Sequence, residues 1–114
     1  MFDSVSATAL RSALDGLAAR QRATADNIAN INTPHYLASR VEFEDALRSA
    51  VSGGGSGAVT HTTSQSVAPT REDGNNVNLD AETLSSVDTQ LRYQLLTQAA
   101  SGKLTSISSA LRTN

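Results

Sequence analysis

No cysteine occurs in the 114 residues, which excludes disulfide staples and thiolate metal sites. Tryptophan is absent too, and only two Phe and two Tyr are present. A chain so poor in large aromatics has little to fill a compact core, so an elongated or assembled object is expected. Charge of one sign is also lacking: 9 basic against 11 acidic residues leave a net charge of −2, with the signs interspersed. That balance leaves no electrostatic footprint for nucleic acid or an anionic membrane. No apolar run approaches the roughly 18 residues a membrane span needs. The opening Met-Phe-Asp-Ser-Val-Ser has neither the basic nor the continuous apolar segment of a cleavable secretory signal. A cytoplasmic chain is therefore expected, unless a signal-independent route exports it.

Catalytic constellations are missing as well. His35 and His61, the only histidines, sit in polar, loop-like surroundings without metal-ligand spacing. Asp73-Gly74-Asn75-Asn76 lacks the later oxygen ligands and closing Glu of a calcium loop. There is no Gly-x-Ser-x-Gly elbow, and the glycine cluster is followed by Ala58-Val59 where a phosphate-binding loop needs lysine. Neither an enzyme nor a cofactor is expected.

What the sequence does have is two long amphipathic stretches. Leu10, Leu14, Leu17, Gln21, Thr24, Ile28 and Ile31 recur at alternating steps of four and three, which places them along one helical seam. Arg11, Asp15, Arg20, Arg22 and Asp26 lie between them and are expected to keep the other faces wet. Such a helix, from near Ser4 to near Asn30, is roughly 40 Å long at about 1.5 Å per residue. It stops at Asn30-Ile31-Asn32-Thr33-Pro34, because Pro34 has no N–H for the ladder and turns Thr33 away from helical angles. The second stretch runs from about Ala81 to Leu111, capped by Asn78 or Asp80. Its apolar positions are Leu84, Val87, Leu91 and Leu95, then Leu96, Ala100, Leu104, Ile107 and Leu111, with a one-residue slip between Leu95 and Leu96.

Between these stretches, an extended lead-in and one or two helical turns are expected near residues 42–51. Ser52-Gly53-Gly54-Gly55-Ser56-Gly57 is a flexible linker by composition, extending to about residue 70. Thr60 to Ser66 holds β-branched residues able to pair briefly, and Pro69 disfavours a central strand. The expected fold is mainly α: two long amphipathic terminal helices packed antiparallel in coiled-coil fashion, with an irregular, partly extended middle. Residues 1–32 and 80–114 then form one helical axial domain, and 33–79 the connecting segment. Both seams are thin, with Gln21, Thr24 and Ala100 where a stable isolated pair has leucine, and small side chains bury little apolar area. Neighbouring subunits are therefore expected to complete the pair. The packing candidates are Leu10, Leu14, Leu17, Ile28 and Ile31 in the first helix and Leu84, Val87, Leu91, Leu95, Leu104 and Ile107 in the second.

Asn27-Ile28-Ala29-Asn30 followed by Thr33-Pro34-His35-Tyr36 resembles the signature near the N-terminus of bacterial flagellar rod and hook proteins. Asp73-Gly74-Asn75-Asn76-Val77-Asn78-Leu79-Asp80 and Leu91-Arg92-Tyr93-Gln94 are similar to that family's second block in order and spacing. The likeness covers about residues 5–50 and 71–112 and is strongest to the proximal rod proteins. It picks out Asn27, Asn30, Thr33, Pro34, Tyr36, Asp73, Gly74 and Asn75 as motif residues. One departure is His35, where the family usually has Gly, so the turn after Pro34 is expected to close differently. The middle is also short for a folded outer domain.

The resemblance implies a structural subunit of the proximal rod. Its terminal helices would self-associate into a helical tube that transmits torque across the periplasm. The implied partners are other rod proteins, the rod-base adaptor, the inner-membrane ring protein and the flagellar type III export apparatus, which exports such subunits without signal cleavage. Phe43 and Leu47 fit the Phe-x-x-x-hydrophobic pattern of an export-gate motif. The alternative is a secreted or cytoplasmic helical-hairpin adaptor.

Overall fold

The computed structural model describes residues 4–112, with side chains described for residues 5–102. Its elements run α1 (Ser4–Ala29), β1 (Ser39–Glu42), α2 (Glu44–Ser52), β2 (Thr62–Gln65) and α3 (Leu79–Arg112). The mainly α class, with two long helices packed on each other, is as expected. α1 ends where the asparagines begin: the Asn30 side-chain amide donates to the Asp26 carbonyl at 2.8 Å. The Thr33 hydroxyl then donates to Asn30 Oδ1 at 3.0 Å. Beyond α1 the backbone tightens to bonds three residues apart, the Ile31 N–H donating to the Ile28 carbonyl at 3.2 Å and the Thr33 N–H to the Asn30 carbonyl at 3.0 Å. This ends the α-helical ladder. α3 starts at an asparagine cap, the Ala81 N–H donating to Asn78 Oδ1 at 3.1 Å. Asp80 and Glu82 add negative charge to its first turn, where the helix dipole favours it.

α1 and α3 run antiparallel. Asn27 Nδ2 donates to Glu82 Oε1 at 3.0 Å, and one to two turns back along α1, Gln21 Nε2 donates to Ser86 Oγ at 3.1 Å. The molecule is elongated, 68 × 26 × 14 Å, with a radius of gyration of 17.9 Å. A compact chain of this length would have a radius near 13 Å. β1 and β2 form a two-stranded antiparallel ribbon in which Ser39 faces Gln65 and Glu42 faces Thr62. The edge of β1 away from β2 is closed by α1: Asn27 bonds both the N–H and the C=O of Ser39, and Arg20 donates to the Val41 carbonyl at 2.7 Å. Those backbone groups are thereby satisfied without a third strand.

A small core lies where α1, α2 and α3 meet. Ala13, Leu17 and Phe43 are buried, with Leu47, Val59 and Leu96 packed around them. Gly16 makes this possible, since a Cβ there would lie 2.4 Å from the Phe43 ring. The slip between Leu95 and Leu96 now has a physical reading. Leu96 turns inward onto this core, while Leu95 stays 62 % exposed. The linker returns to α1 as well: Ser12 Oγ donates to the Gly57 carbonyl at 3.1 Å and accepts from the Val59 N–H at 3.0 Å.

One expectation is corrected here. Arg20 does not keep a face wet; it is half-buried on the packed side of α1. Its guanidinium sits 5.0 Å from the Phe43 ring centroid and forks onto Glu44, with Nη2 to Oε1 at 2.7 Å. The 3.6-residue period alone cannot separate a solvated Arg from one whose planar fork meets a carboxylate across a core edge. Arg92 of α3 reaches the same Glu44 at 3.5 Å and Asp88 at 3.0 Å, so this ionic cluster ties α1, α2 and α3 together. The Arg20 hydrogen bond holds the Glu44 carboxyl down, from 4.5 to about 2, against the desolvation that would raise it.

Candidate functional site: an asparagine knot and an uncovered helix face

Two arrangements of side chains carry the functional reading. The first joins the two sequence motifs. Asn75 is fully buried, at 0 % exposure, and its Nδ2 donates to the carbonyls of Asn30 and Thr33, both at 2.8 Å. Its Oδ1 accepts the Val77 N–H at 2.7 Å. Asn76 does the same one residue on: its Oδ1 accepts from the Ala38 N–H at 2.7 Å, and its Nδ2 donates to the Ser66 and Ala68 carbonyls at 3.1 Å. Asn27, 1 % exposed, accepts from the Ser39 N–H and, at 3.3 Å, from the Tyr36 hydroxyl. Arg71 clamps the outside, donating to the carbonyls of Ile31 and Val77. Three buried carboxamides thus meet the backbone of a tight, non-helical crossing. Asparagine suits this because one short side chain carries both donors and acceptors.

His35 lies at the turn of this knot with φ +62. This is the left-handed region, open to Gly at no cost and tolerated by His more than by most residues. Its N–H donates to the Asp73 carbonyl at 2.8 Å. The imidazole lies against Gly74, itself at φ +81, where a Cβ would come within 2.5 Å of His35 Nδ1. The turn therefore closes with a histidine in a glycine conformation, and Gly74 supplies the space. Of the motif residues, Asn27, Asn30, Thr33, Tyr36, Asp73, Gly74 and Asn75 all take part in this crossing. Pro34 is exposed beside it. Asn76 and Arg71 were not singled out by sequence reasoning. Asn76 lay inside a quoted block, and no spacing signalled Arg71.

The second arrangement is on α3. Its side toward α1 is largely polar: Thr89 is 2 % exposed, and Glu82, Ser85 and Ser86 are half-buried. The aliphatic stripe points away. Leu84 is 72 % exposed, Val87 52 %, Leu91 55 % and Leu95 62 %. Steps of three and four along the helix make these four one continuous face. On α1, Leu17 is buried, Leu10, Leu14 and Ile31 are half-buried, and Ile28 is exposed. Leu104 and Ile107 lie outside the residues whose side chains are described. Phe43 sits in the core and Leu47 packs beside it.

Two grooves flank α3 where it meets the rest of the molecule. One, about 680 Å³, mixes five charged residues, Arg20, Arg40, Glu42, Glu82 and Asp88, with apolar ones that include Val41 and Leu84. The other, about 440 Å³, is lined by Leu17, Ala18, Gln21, Thr89 and Tyr93, with Arg22 at its rim. Among the described residues, no group of three or more metal-ligating side chains converges, and no helix is long and apolar enough to cross a membrane.

The sequence is similar to those of known proteins. Residues 8–36 match the family model described as flagella basal body rod protein. Over 121 residues the chain is 32 % identical to the flagellar basal body rod protein FlgB of Escherichia coli K12, covering 88 % of each chain. It is 30 % identical to FlgB of Borreliella burgdorferi, over 87 % of this chain and 90 % of that one. It is also 27 % identical to FlgB of Bacillus subtilis, over 90 % and 89 % respectively.

Proposed function

We propose that this chain, which belongs to the FlgB family of flagellar basal body rod proteins, is a non-enzymatic subunit that acts by assembly through its two terminal helices. The observation that carries the reading is the aliphatic face of α3, uncovered in the single chain. Full burial of a Leu or Val side chain is worth about 1.5–3 kcal/mol. Four half-exposed ones therefore hold several kcal/mol in reserve for a neighbour. The subunits build a helical tube that crosses the periplasm and transmits torque. Other proximal rod proteins, the rod-base adaptor and the inner-membrane ring protein are its contacts.

Export through the flagellar type III apparatus fits a molecule with so small a core, since such a core is easily opened. Phe43 and Leu47 serve as the gate-recognition pair in the unfolded chain, because Phe43 is covered once the core forms. Helicity then rises as neighbours cover the seams, by coupled ordering and binding.

The test is fractionation. A rod subunit travels with detergent-resistant basal bodies, and cells lacking it build none. A chain found wholly in the soluble fraction of motile cells would sink this reading and favour an adaptor.

A further inference from the structure

The exposed stripe of α3 needs a mate, and the same molecule displays one on a different face. We propose that Leu84, Val87, Leu91 and Leu95 of one copy seat in the α1–α3 groove of a second copy of this chain, against Leu17, Ala18, Gln21 and Tyr93. The inference rests on the reading of the chain as an assembling subunit and adds which surface meets which.

Chemistry separates the two grooves. Aliphatic side chains laid in the larger one would strip water from Arg20, Arg40, Glu42, Glu82 and Asp88 with no polar group to replace it, which is costly. The smaller groove offers Leu17, Ala18 and the Tyr93 ring, with uncharged amides and Thr89 between them. It is also unfinished within one chain. The Thr89 hydroxyl and Gln21 Oε1 are buried without a hydrogen-bond partner, an arrangement native interiors rarely leave alone.

Charge sets the register. Arg22, exposed on the groove rim, has no ion-pair partner among the described residues, and Asp88, which also bonds Arg92 of its own helix at 3.0 Å, flanks the stripe. When the second copy's α3 runs antiparallel to α1, as each chain's own α3 does, Asp88 level with Arg22 brings Leu91 to about the level of Ala18. One turn separates the members of each pair. Stripe and groove occupy different faces, so the contact is head-to-tail and propagates rather than closing on itself. A stripe-on-stripe pair would end at a dimer and leave the groove empty.

The chain has no native cysteine, so introduced thiols report alone. Cells co-express two variants, Ala18→Cys and Leu91→Cys, and isolated basal bodies are treated with a short bis-maleimide, since packed helices lie about 8–10 Å apart. A band at twice the monomer mass, containing both variants and absent from either alone, is expected. A Leu91→Cys dimer formed alone, or intact basal bodies with no mixed band, would overturn the proposed mate and leave the rod reading standing. Absence of the chain from basal bodies would overturn both. Where Leu91→Cys fails to assemble, Arg22→Cys with Asp88→Cys probes the same level with the same outcomes.

Discussion

The asparagine knot and the middle of α3 belong to one helix pair and differ in how complete they are. In the knot, the carboxamides of Asn27, Asn75 and Asn76 are all engaged within the chain. On α3 the polar side is turned inward, with Thr89 covered, and the aliphatic side faces out. In the knot, burial is of polar groups that fix a path for the backbone; on α3, exposure is of apolar groups whose value is realised only against another surface. The knot fixes the path of the chain, whereas the α3 stripe is the surface our proposal assigns to contact between subunits.

That division is open to direct attack, most severely at the stripe. Replacing Leu84 and Leu91 together by Asp should abolish rod assembly and motility, because charge in a desolvated seam leaves buried ions unpaired. The same pair should leave the isolated chain's stability nearly unchanged, within about 0.5 kcal/mol per site, as for other exposed positions. A large loss of helicity in the unassembled double variant would show that the stripe is already buried within the subunit.

The reciprocal change is Asn75→Ala. It leaves the Asn30 and Thr33 carbonyls and the Val77 N–H without their partner, at a cost of about 3 kcal/mol. Amide exchange should accelerate first at Val77, whose N–H loses its Asn75 acceptor, with the helices following. Unaltered exchange there would mean the knot is decoration on a path set elsewhere.

How much of this was legible beforehand depends on distance along the chain. The extent of α1 and its stop before Pro34 follow from neighbours a few residues apart, and the sequence narrows the α3 cap to Asn78 or Asp80, of which the structure uses Asn78. The motif residues were visible as motifs, yet their meeting was not: Asn75 finds carbonyls 42 and 45 residues away. No local period encodes that pairing. Periodicity also located the α3 stripe without saying which way it faces, since the amphipathic pattern is the same for an intramolecular and an intermolecular partner. Arg20 was misplaced for a related reason, because its fork is satisfied by Glu44 from another element.

The ionic cluster gives a milder test, set by pH. Glu44 is held down at about 2 in the folded chain, against 4.5 when free. A depressed carboxyl contributes stability above its unfolded value, and that contribution drains away as pH falls from about 4.5 towards 2. With the side chain 35 % exposed, solvent screening reduces this to about 1 kcal/mol at most. Glu44→Gln should therefore unfold with a shallower acid dependence than the parent, the two curves converging at low pH. Parallel curves across that window would remove the cluster from any role in tying α2 to the helix pair.

The smallest effect is expected at the turn of the knot, where His35 occupies a left-handed conformation at φ +62. A side chain there costs about 1–2 kcal/mol relative to right-handed backbone, a cost glycine escapes. His35→Gly removes that strain and adds unfolded-state entropy of about 0.5–1 kcal/mol. It also loses the imidazole packed against Gly74. These terms nearly cancel, so the glycine variant should match the parent or exceed it by under about 1 kcal/mol. His35→Val keeps bulk but places a β-branched side chain where φ is positive, and should be the least stable of the three. An order of Gly, His, Val in urea midpoints would place the strain of the knot in the backbone. Were valine to match histidine, the positive φ would be a consequence of the Asp73 carbonyl's pull on the His35 N–H and would carry no strain of its own.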